Sequence, residues 1–371
     1  MRLRAWCSAR WPFISWRVQE YGDGGANLVA SCGETPSGRV LYSHLDTSLN
    51  GSLEDAVVTG RTDPPGPLRI GEDGTVDGFG LGVARGPAAA ALVGFVESMD
   101  FVDFVDAAPH VREGATLLLA GSGTHRLLPG ETTGVEAYLA AHEHPRQAII
   151  AKAGPPAVLH SEPGAAYLTV RVEGRQGAVL ARRFHRPEGG VLAHTGRLID
   201  AIEAWRVAHL ARRTPSRIGA EVGIGHLRSG LVTKPDLIPA VLELGLYLVT
   251  IPGDRVPDIG RDLENTLRAV APEGCTVRVD HHEIHAAGLT DDDAPIVRRA
   301  RAVRERYLGP EQSVTGWTGS TDGVVLRGHG IDTVRLGPTI APLPEDRRRD
   351  RTTLDHLVLW SQIYRDLLTQ T

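Results

Sequence analysis

The order of the apolar runs constrains this 371-residue chain more than any other feature of its sequence. In the first half, short apolar runs bounded by glycine and proline alternate with helical patterns; two of these runs are ATLLLAGSG (115–123) and QAIIAKAG (147–154). Such runs are typical of strands that are buried on both faces of a mostly parallel sheet. A helical pattern begins at Gly86 and Pro87, where proline is tolerated. We therefore predict an α/β domain.

From about Gly164 the pattern changes. Strand, helix, strand, strand, helix and strand patterns follow one another as far as about His285, and βαββαβ is the element order of a ferredoxin-like unit. After AAGLTDDD (286–293), a long helix and a further strand pattern return. The simplest interpretation is a discontinuous α/β domain over 1–163 and 287–371, with a second domain inserted at 164–286.

Composition excludes several classes of protein. Apolar residues make up 42% of the chain, and no uninterrupted apolar run approaches the roughly 20 residues that a membrane span requires. A net charge of −5 with 40 basic residues predicts no nucleic-acid partner. The three cysteines are odd in number and lack metal-site spacing, which argues against a disulfide framework. No signal peptide is evident, so we expect a cytoplasmic protein with no membrane partner.

The stretch VLYSHLDTS (40–48) runs an apolar strand into His44 and Asp46. Side chains two residues apart in a strand lie on the same face, so Asp46 can orient the imidazole of His44. Metal-binding histidines are often held in this way. Lysine occurs only at 152 and 234, so the position of Lys152 at the end of a predicted strand is notable.

Four motifs occur in a characteristic order. They are the His-x-Asp strand end, the Gly-rich turn DGFGLGVARGPAAAAL (77–92), the βαββαβ unit, and TGSTDG (318–323) with GIDTVRLGP (330–338). In this order they resemble the co-catalytic zinc aminoacylase and peptidase family, which includes acetylornithine deacetylase and succinyl-diaminopimelate desuccinylase. The VARGPAAA turn resembles the branch that releases lysine or ornithine from an amino-group carrier protein.

This resemblance implies a zinc-peptidase-like domain whose insert acts as a lid and dimerisation domain, in a homodimer. It also implies two zinc ions held by a His, a bridging Asp, two acidic residues and a late His, with a Glu as general base. His44 matches the first His, and Asp46 matches its orienting partner. The four other motif positions carry residues of different types: Val83, Thr124-His125, Lys152 and Glu345.

These replacements remove most of the expected metal chemistry. Valine cannot bind zinc, and threonine is not a base at neutral pH. We therefore expect no metal cofactor; a rearranged single-zinc site of His44, His125 and Glu345 is the alternative. The ammonium of Lys152 can fill the vacated space and pair with Asp46, in place of an ion. A surface lysine at a strand end is the competing interpretation. The candidate catalytic residues are thus His44, Asp46 and Lys152.

Candidate substrate-binding residues come from three other stretches. The resemblance places a positive residue near RRFHRPEGG, where His185 or Arg183 lies, and Arg85 belongs to the Gly-rich turn. In TGSTDG, Ser320, Thr321 and Asp322 can present polar groups to an anionic ligand; the alternative is a turn that caps a helix.

Three functional hypotheses follow. In the first, the chain is a divergent member that binds an N-acyl amino acid or a carrier-protein tail without ordinary zinc hydrolysis, either as a pseudo-enzyme or as a metal-free catalyst. In the second, it is an active amidohydrolase with a single-zinc site. In the third, it is a non-catalytic partner of an intact paralogue. The first is favoured because general-base chemistry needs a group with a pKa near the working pH, which Thr124 does not offer.

Overall fold

The computed structural model describes residues 2–22, 24–32, 38–104, 114–124, 131–179, 190–214 and 216–369. The first part of the chain contains α1 (Arg2–Arg10), β1 (Ser15–Tyr21), β2 (Gly25–Cys32), β3 (Arg39–His44), α2 (Ala56–Thr59), β4 (Arg69–Ile70), β5 (Thr75–Phe79), α3 (Gly86–Phe104), β6 (Ala115–Ala120), α4 (Gly134–Ala141), β7 (Gln147–Ala151) and β8 (Ser161–Glu162).

The middle part contains β9 (Gly164–Glu173), β10 (Gly177–Ala178), α5 (Thr195–Ala211), β11 (Glu221–Ser229), β12 (Leu237–Ile238), β13 (Val241–Thr250), α6 (Val256–Val270), β14 (Thr276–His285) and β15 (Gly288–Leu289). The last part contains α7 (Pro295–Leu308), α8 (Gly323–Gly328), β16 (Asp332–Leu336), β17 (Ala341–Pro342), β18 (Arg349–Thr353) and α9 (Leu354–Thr369).

The chain divides into two compact units. The first comprises Met1–Ser161, Leu289–Val314 and Thr321–Thr371, and the second comprises Glu162–Gly288 and Thr315–Ser320. The sequence placed an insert at 164–286. The second unit also includes the short segment 315–320, which no sequence pattern assigned to it.

The first unit is built on a six-stranded sheet of order β1-β2-β6-β3-β7-β16. Strands β6, β3, β7 and β16 are parallel to one another, whereas β1 and β2 add an antiparallel edge. All six residues of β3 and of β6 are buried, as expected for strands that are covered on both faces. The predicted α/β fold with a mostly parallel sheet is therefore confirmed.

Helix α3 packs against both the sheet and α9, and most of its residues from Pro87 to Val96 are apolar and buried, with Val93 on an exposed face. The contact with α9 is close at Gly94, where an added Cβ would lie 2.4 Å from the backbone oxygen of Ser361. Only glycine lets the two helices approach to this distance. A second, four-stranded antiparallel sheet of order β17-β18-β5-β4 also belongs to this unit, and in it β18 pairs with β5.

The second unit has its own sheet and its own apolar core. Its four long strands are antiparallel in the order β11-β13-β9-β14, with α5 and α6 connecting them in the chain order βαββαβ. This order and pairing are those of a ferredoxin-like unit. Alternate residues of β9 and β13 are buried, which is typical of a sheet with one covered face. No described helix is long and apolar enough to span a membrane.

Candidate functional site

The candidate site lies in the first unit, where three parallel strands end side by side. His44 is the last residue of β3, and the loop 121–124 and Lys152 directly follow β6 and β7. The carboxyl ends of parallel strands share one edge of a sheet, which is the usual place for ligands in such folds. The backbone of Lys152 is held closely there: an added Cβ at Gly337 would lie 2.3 Å from the carbonyl oxygen of Lys152.

Asp46, His44 and Lys152 form one continuous chain of hydrogen bonds. Nδ1 of His44 lies 2.9 Å from Oδ1 of Asp46, and Nε2 lies 2.7 Å from Nζ of Lys152. An ionised carboxylate only accepts hydrogen bonds and an ammonium only donates them. Nδ1 therefore carries the proton, and the lone pair of Nε2 accepts from the lysine. The imidazole is 1% exposed, so the ring is shielded from solvent, whereas Asp46 and Lys152 are half-buried.

The arrangement differs in one respect from the sequence expectation. Lys152 was expected to pair with Asp46, whereas its ammonium contacts the imidazole of His44, with Asp46 on the opposite edge of the ring. The Asp46 carboxylate also accepts from the backbone N–H of Gly123, at 3.1 and 3.2 Å. The three candidate catalytic residues are thus brought together, and Asp46 additionally holds the loop that follows β6.

A second carboxylate, that of Asp322, holds the next residue of this loop. One of its oxygens accepts from the backbone N–H of Thr124 at 2.7 Å, and the other accepts from the hydroxyl of Tyr42 at 2.8 Å. Tyr42 and Asp322 are both buried. Burial raises the pKa of the Tyr42 hydroxyl well above its ordinary value, and the negative charge of Asp322 raises it further. Asp322 is therefore engaged by the protein on both oxygens, and sequence analysis missed Tyr42 as its partner.

The remaining substrate-binding candidates occupy different surroundings. The hydroxyl of Thr321 accepts from the backbone N–H of Gly323 at the start of α8, while Ser320 ends the segment assigned to the second unit. The guanidinium of Arg85 is exposed, lies over the ring of Phe79 at 5.1 Å and donates to its carbonyl oxygen. Arg183 and His185 lie outside the described residues.

The donor set of the described residues does not fit a pair of zinc ions. Val83 lies in the turn Leu81–Arg85, where the resemblance implies the bridging Asp. Glu345 is exposed between β17 and β18, and its contact is a backbone one with Arg61. Within the part of the chain that the structure describes, no group of three His, Cys, Asp or Glu residues is placed to hold a metal ion. His125, the third member of the alternative single-zinc site, lies outside that part.

One carboxylate near the Gly-rich turn was not found by sequence analysis. Asp350 in β18 accepts from the backbone N–H of Gly82 at 2.8 Å, next to Val83. Burial raises the pKa of this carboxyl. The resemblance instead placed Glu345, five residues earlier in the chain, at the position of the late His of the family. The pairing of β18 with β5 brings Asp350 to the turn instead.

The chain was then compared with known proteins. No protein-family model and no curated protein matches it. Among solved structures, an M20 family metallo-carboxypeptidase from Sulfolobus solfataricus aligns with a TM-score of 0.69 at 13% identity, over 99% of this chain and 92% of that one.

Two further solved structures give the same result. Human carnosine dipeptidase 1 aligns with a TM-score of 0.69 at 13% identity, over 99% of this chain and 90% of that one. A tripeptidase from Staphylococcus aureus aligns with a TM-score of 0.64 at 14% identity, over 99% and 91%. Identities this low establish a common fold rather than a common activity. This chain has the fold of the M20 metallopeptidases and aminohydrolases.

Proposed function

We propose that this chain is a zinc-independent protein on a metallopeptidase fold, which binds an N-acyl amino acid or the tail of an amino-group carrier protein without hydrolysing it by zinc chemistry. The observation that carries this proposal is the 2.7 Å contact between Nζ of Lys152 and Nε2 of His44. The imidazole nitrogen that would face a metal ion instead accepts a hydrogen bond from a cation.

Two requirements of zinc hydrolysis support the proposal. A catalytic zinc ion needs three protein ligands and an open position for water. The reaction also needs a general base whose pKa lies near the working pH. At the position of that base the chain has Thr124, whose hydroxyl stays protonated near neutral pH and whose backbone N–H is held by Asp322. His44 with Asp46 alone satisfies neither requirement.

Two observations support the proposed ligand class: the names of the proteins that share the fold, and the ammonium at the site. The compared proteins are a carboxypeptidase, a dipeptidase and a tripeptidase, whose names describe substrates with an amide bond and a carboxylate. The ammonium of Lys152 can donate to the oxygen of either group. We also propose that the protein is cytoplasmic and forms a homodimer through its second unit.

Metal content and ligand binding test the proposal together. Protein purified without chelators is expected to contain less than about 0.1 zinc per chain by elemental analysis. It is expected to bind Nα-acetylornithine or Nα-acetyl-lysine in calorimetry with no release of acetate. Lys152→Met should weaken binding by about 10- to 150-fold, because a charge-assisted hydrogen bond contributes about 1.5 to 3 kcal/mol.

The matched control is Lys234→Met, which removes the other lysine of the chain. Lys234 is exposed and pairs with Asp236 at 2.9 Å, so this change should leave binding unaltered. One zinc per chain that His44→Ala removes, together with acetate release, would establish the single-zinc amidohydrolase instead. Zinc-free protein that binds neither compound would refute an N-acyl amino acid as the ligand.

A further inference from the structure

We infer that a cavity on the α4 side of the six-stranded sheet is a second ligand site, which takes a small organic molecule with a planar ring and an anionic group. The cavity has a volume of about 500 Å³ and lies between the β1-β2 hairpin and the carboxyl end of α4. Small-molecule sites typically have volumes of about 300 to 1,000 Å³. The polar and aromatic part of the lining comprises Ser15, Arg17, Gln19, Ser31, Tyr138 and His142.

This cavity is separate from the candidate catalytic residues. His44 pairs with Ala120 of β6, whereas Ser31 in the cavity pairs with Thr116, nearer the beginning of that strand. Four residues of a strand span about 13 Å, at about 3.3 Å per residue. None of the three candidate catalytic residues lines the cavity. A ligand bound here is therefore distinct from the ligand of the proposed function.

Arg17 supplies the positive charge of the cavity. It lies in β1 between Ser15 and Gln19, and alternate residues of a strand share one face, so all three side chains line the cavity. Among the described residues, the Arg17 guanidinium has no hydrogen-bond or ion-pair partner, and no described Asp or Glu lines the cavity. A guanidinium is a planar fork that binds a carboxylate or a phosphate through two parallel hydrogen bonds. The cavity therefore favours an anionic group.

Two stacked rings form another part of the lining. The rings of Tyr138 and His142 have centroids 4.4 Å apart and planes inclined by 16°. Nδ1 of His142 donates to the carbonyl oxygen of Tyr138 at 3.0 Å, because a carbonyl oxygen only accepts, and this bond fixes the orientation of the imidazole. Tyr138 covers one face of the imidazole. The other face is available to a planar group of a ligand.

The buried side of the cavity is held by hydrogen bonds between side chains. The hydroxyl of Tyr138 is bonded to that of Thr116, which lies 3.2 Å from the hydroxyl of Ser31. At one end, Nε2 of Gln19 donates to the carbonyl oxygen of Ala137 at 2.8 Å. These contacts hold this part of the lining in position, as is usual for small-molecule sites, which are largely pre-formed.

The cation and the ring face together select the ligand class. Inorganic phosphate would pair with Arg17 but would leave the ring of His142 and the apolar lining at Val29 and Ala141 uncovered. A neutral ring would cover these surfaces but would leave the guanidinium without an acceptor. A molecule that has both features satisfies both parts of the lining.

Calorimetry with two probes tests the inference. Adenosine monophosphate carries a ring and a phosphate, and indoleacetate carries a ring and a carboxylate, so the probe that binds more tightly identifies the anionic group. At least one of them is expected to show saturable binding to the wild type. Adenosine and inorganic phosphate each lack one feature and should bind about tenfold more weakly or worse.

Single variants locate the binding in this cavity. Arg17→Gln should weaken binding of the probe about tenfold or more, and His142→Ala should also weaken it, since each removes one of the two contacts. Arg17→Lys keeps the charge without the fork and should weaken binding less than Arg17→Gln does. The matched control is Arg69→Gln, which removes an exposed arginine of β4 outside the cavity and should leave binding unaltered.

A wild type that binds neither probe refutes the inference, and so does unchanged affinity in either Arg17→Gln or His142→Ala. Arg17 is exposed, so its variants are expected to fold, which thermal unfolding would check. Binding of Nα-acetylornithine should be the same in Arg17→Gln as in wild type. Protein that binds this compound but neither probe would refute the second site alone and leave the proposed function standing.

Discussion

Replacement of Asp322 by alanine should strongly destabilise the first unit. The carboxylate accepts from the Tyr42 hydroxyl at 2.8 Å and from the Thr124 N–H at 2.7 Å, and all three residues are buried. A hydrogen bond to a charged group contributes about 1.5 to 3 kcal/mol, and a buried donor left without an acceptor incurs its full desolvation cost. Two such bonds give an expected loss of about 3 to 6 kcal/mol in the free energy of unfolding.

Urea unfolding followed by circular dichroism measures this loss, and two variants calibrate it. Asp322→Asn keeps an acceptor for Thr124, so we expect it to cost less than Asp322→Ala. Tyr42→Phe removes a single hydrogen bond and should cost about 1.5 to 3 kcal/mol. Tyr42→Phe and Asp322→Ala each remove the same hydrogen bond, so the combined cost in the double variant Y42F/D322A should be smaller than the sum of the two.

Two results would contradict the expected role of Asp322. A loss below about 1 kcal/mol in D322A would mean that water or another group satisfies both donors. Strict additivity in the double-mutant cycle would mean that Tyr42 and Asp322 do not interact energetically, despite the short distance between their oxygens.

Three further predictions concern pH and packing. Burial raises the pKa of the Tyr364 hydroxyl well above that of an unfolded tyrosine. Above pH 10 this hydroxyl therefore ionises in the unfolded chain but not in the folded one, and the free energy of unfolding should fall by up to about 1.4 kcal/mol per pH unit. Tyr364→Phe should reduce this slope when urea unfolding is repeated across the pH range. Burial, helped by the charge of Arg213, lowers the pKa of His209 to about 4. As the pH falls, His209 is therefore protonated in the unfolded chain before it is protonated in the folded one, and the free energy of unfolding should fall by about 2 to 3 kcal/mol between pH 6.5 and pH 4. His209→Phe should remove this fall, which the urea midpoint measured at each pH would show. Gly94→Ala should lower the melting temperature at a cost of about 1 to 3 kcal/mol, because the new methyl group meets the Ser361 carbonyl; an unchanged value would show that α3 and α9 can separate freely.

The sequence was most informative where local pattern determines structure. Continuous apolar runs identified β6 and β7 as strands of a parallel sheet, because a strand covered on both faces has no polar side. Period-two alternation placed Asp46 behind His44, and their side chains are 2.9 Å apart. Both inferences use only neighbours in the chain.

Contacts between distant parts of the chain could not be predicted in the same way. Tyr42 and Asp322 are 280 residues apart, and nothing in either local pattern points to the other. The segment between β16 and β18 has no periodic pattern that fixes its position relative to the Gly-rich turn. The sequence therefore predicted Glu345 at the site, whereas the pairing of β18 with β5 brings Asp350 to that turn. The failure is physical: a loop's register is set by its tertiary partners, not by its own residues.

The loop after β6 is held by the carboxylates of two residues that lie far apart in the chain. The resemblance to the zinc enzymes implies that residues of this loop would supply a metal ligand and the general base. Here consecutive backbone N–H groups, of Gly123 and Thr124, donate to the carboxylates of Asp46 and Asp322. Asp46 is oriented in turn by His44, and His44 by Lys152. The loop is therefore fixed by hydrogen bonds to two carboxylates of the same unit, and a chain of hydrogen bonds of this kind polarises its members and strengthens each contact.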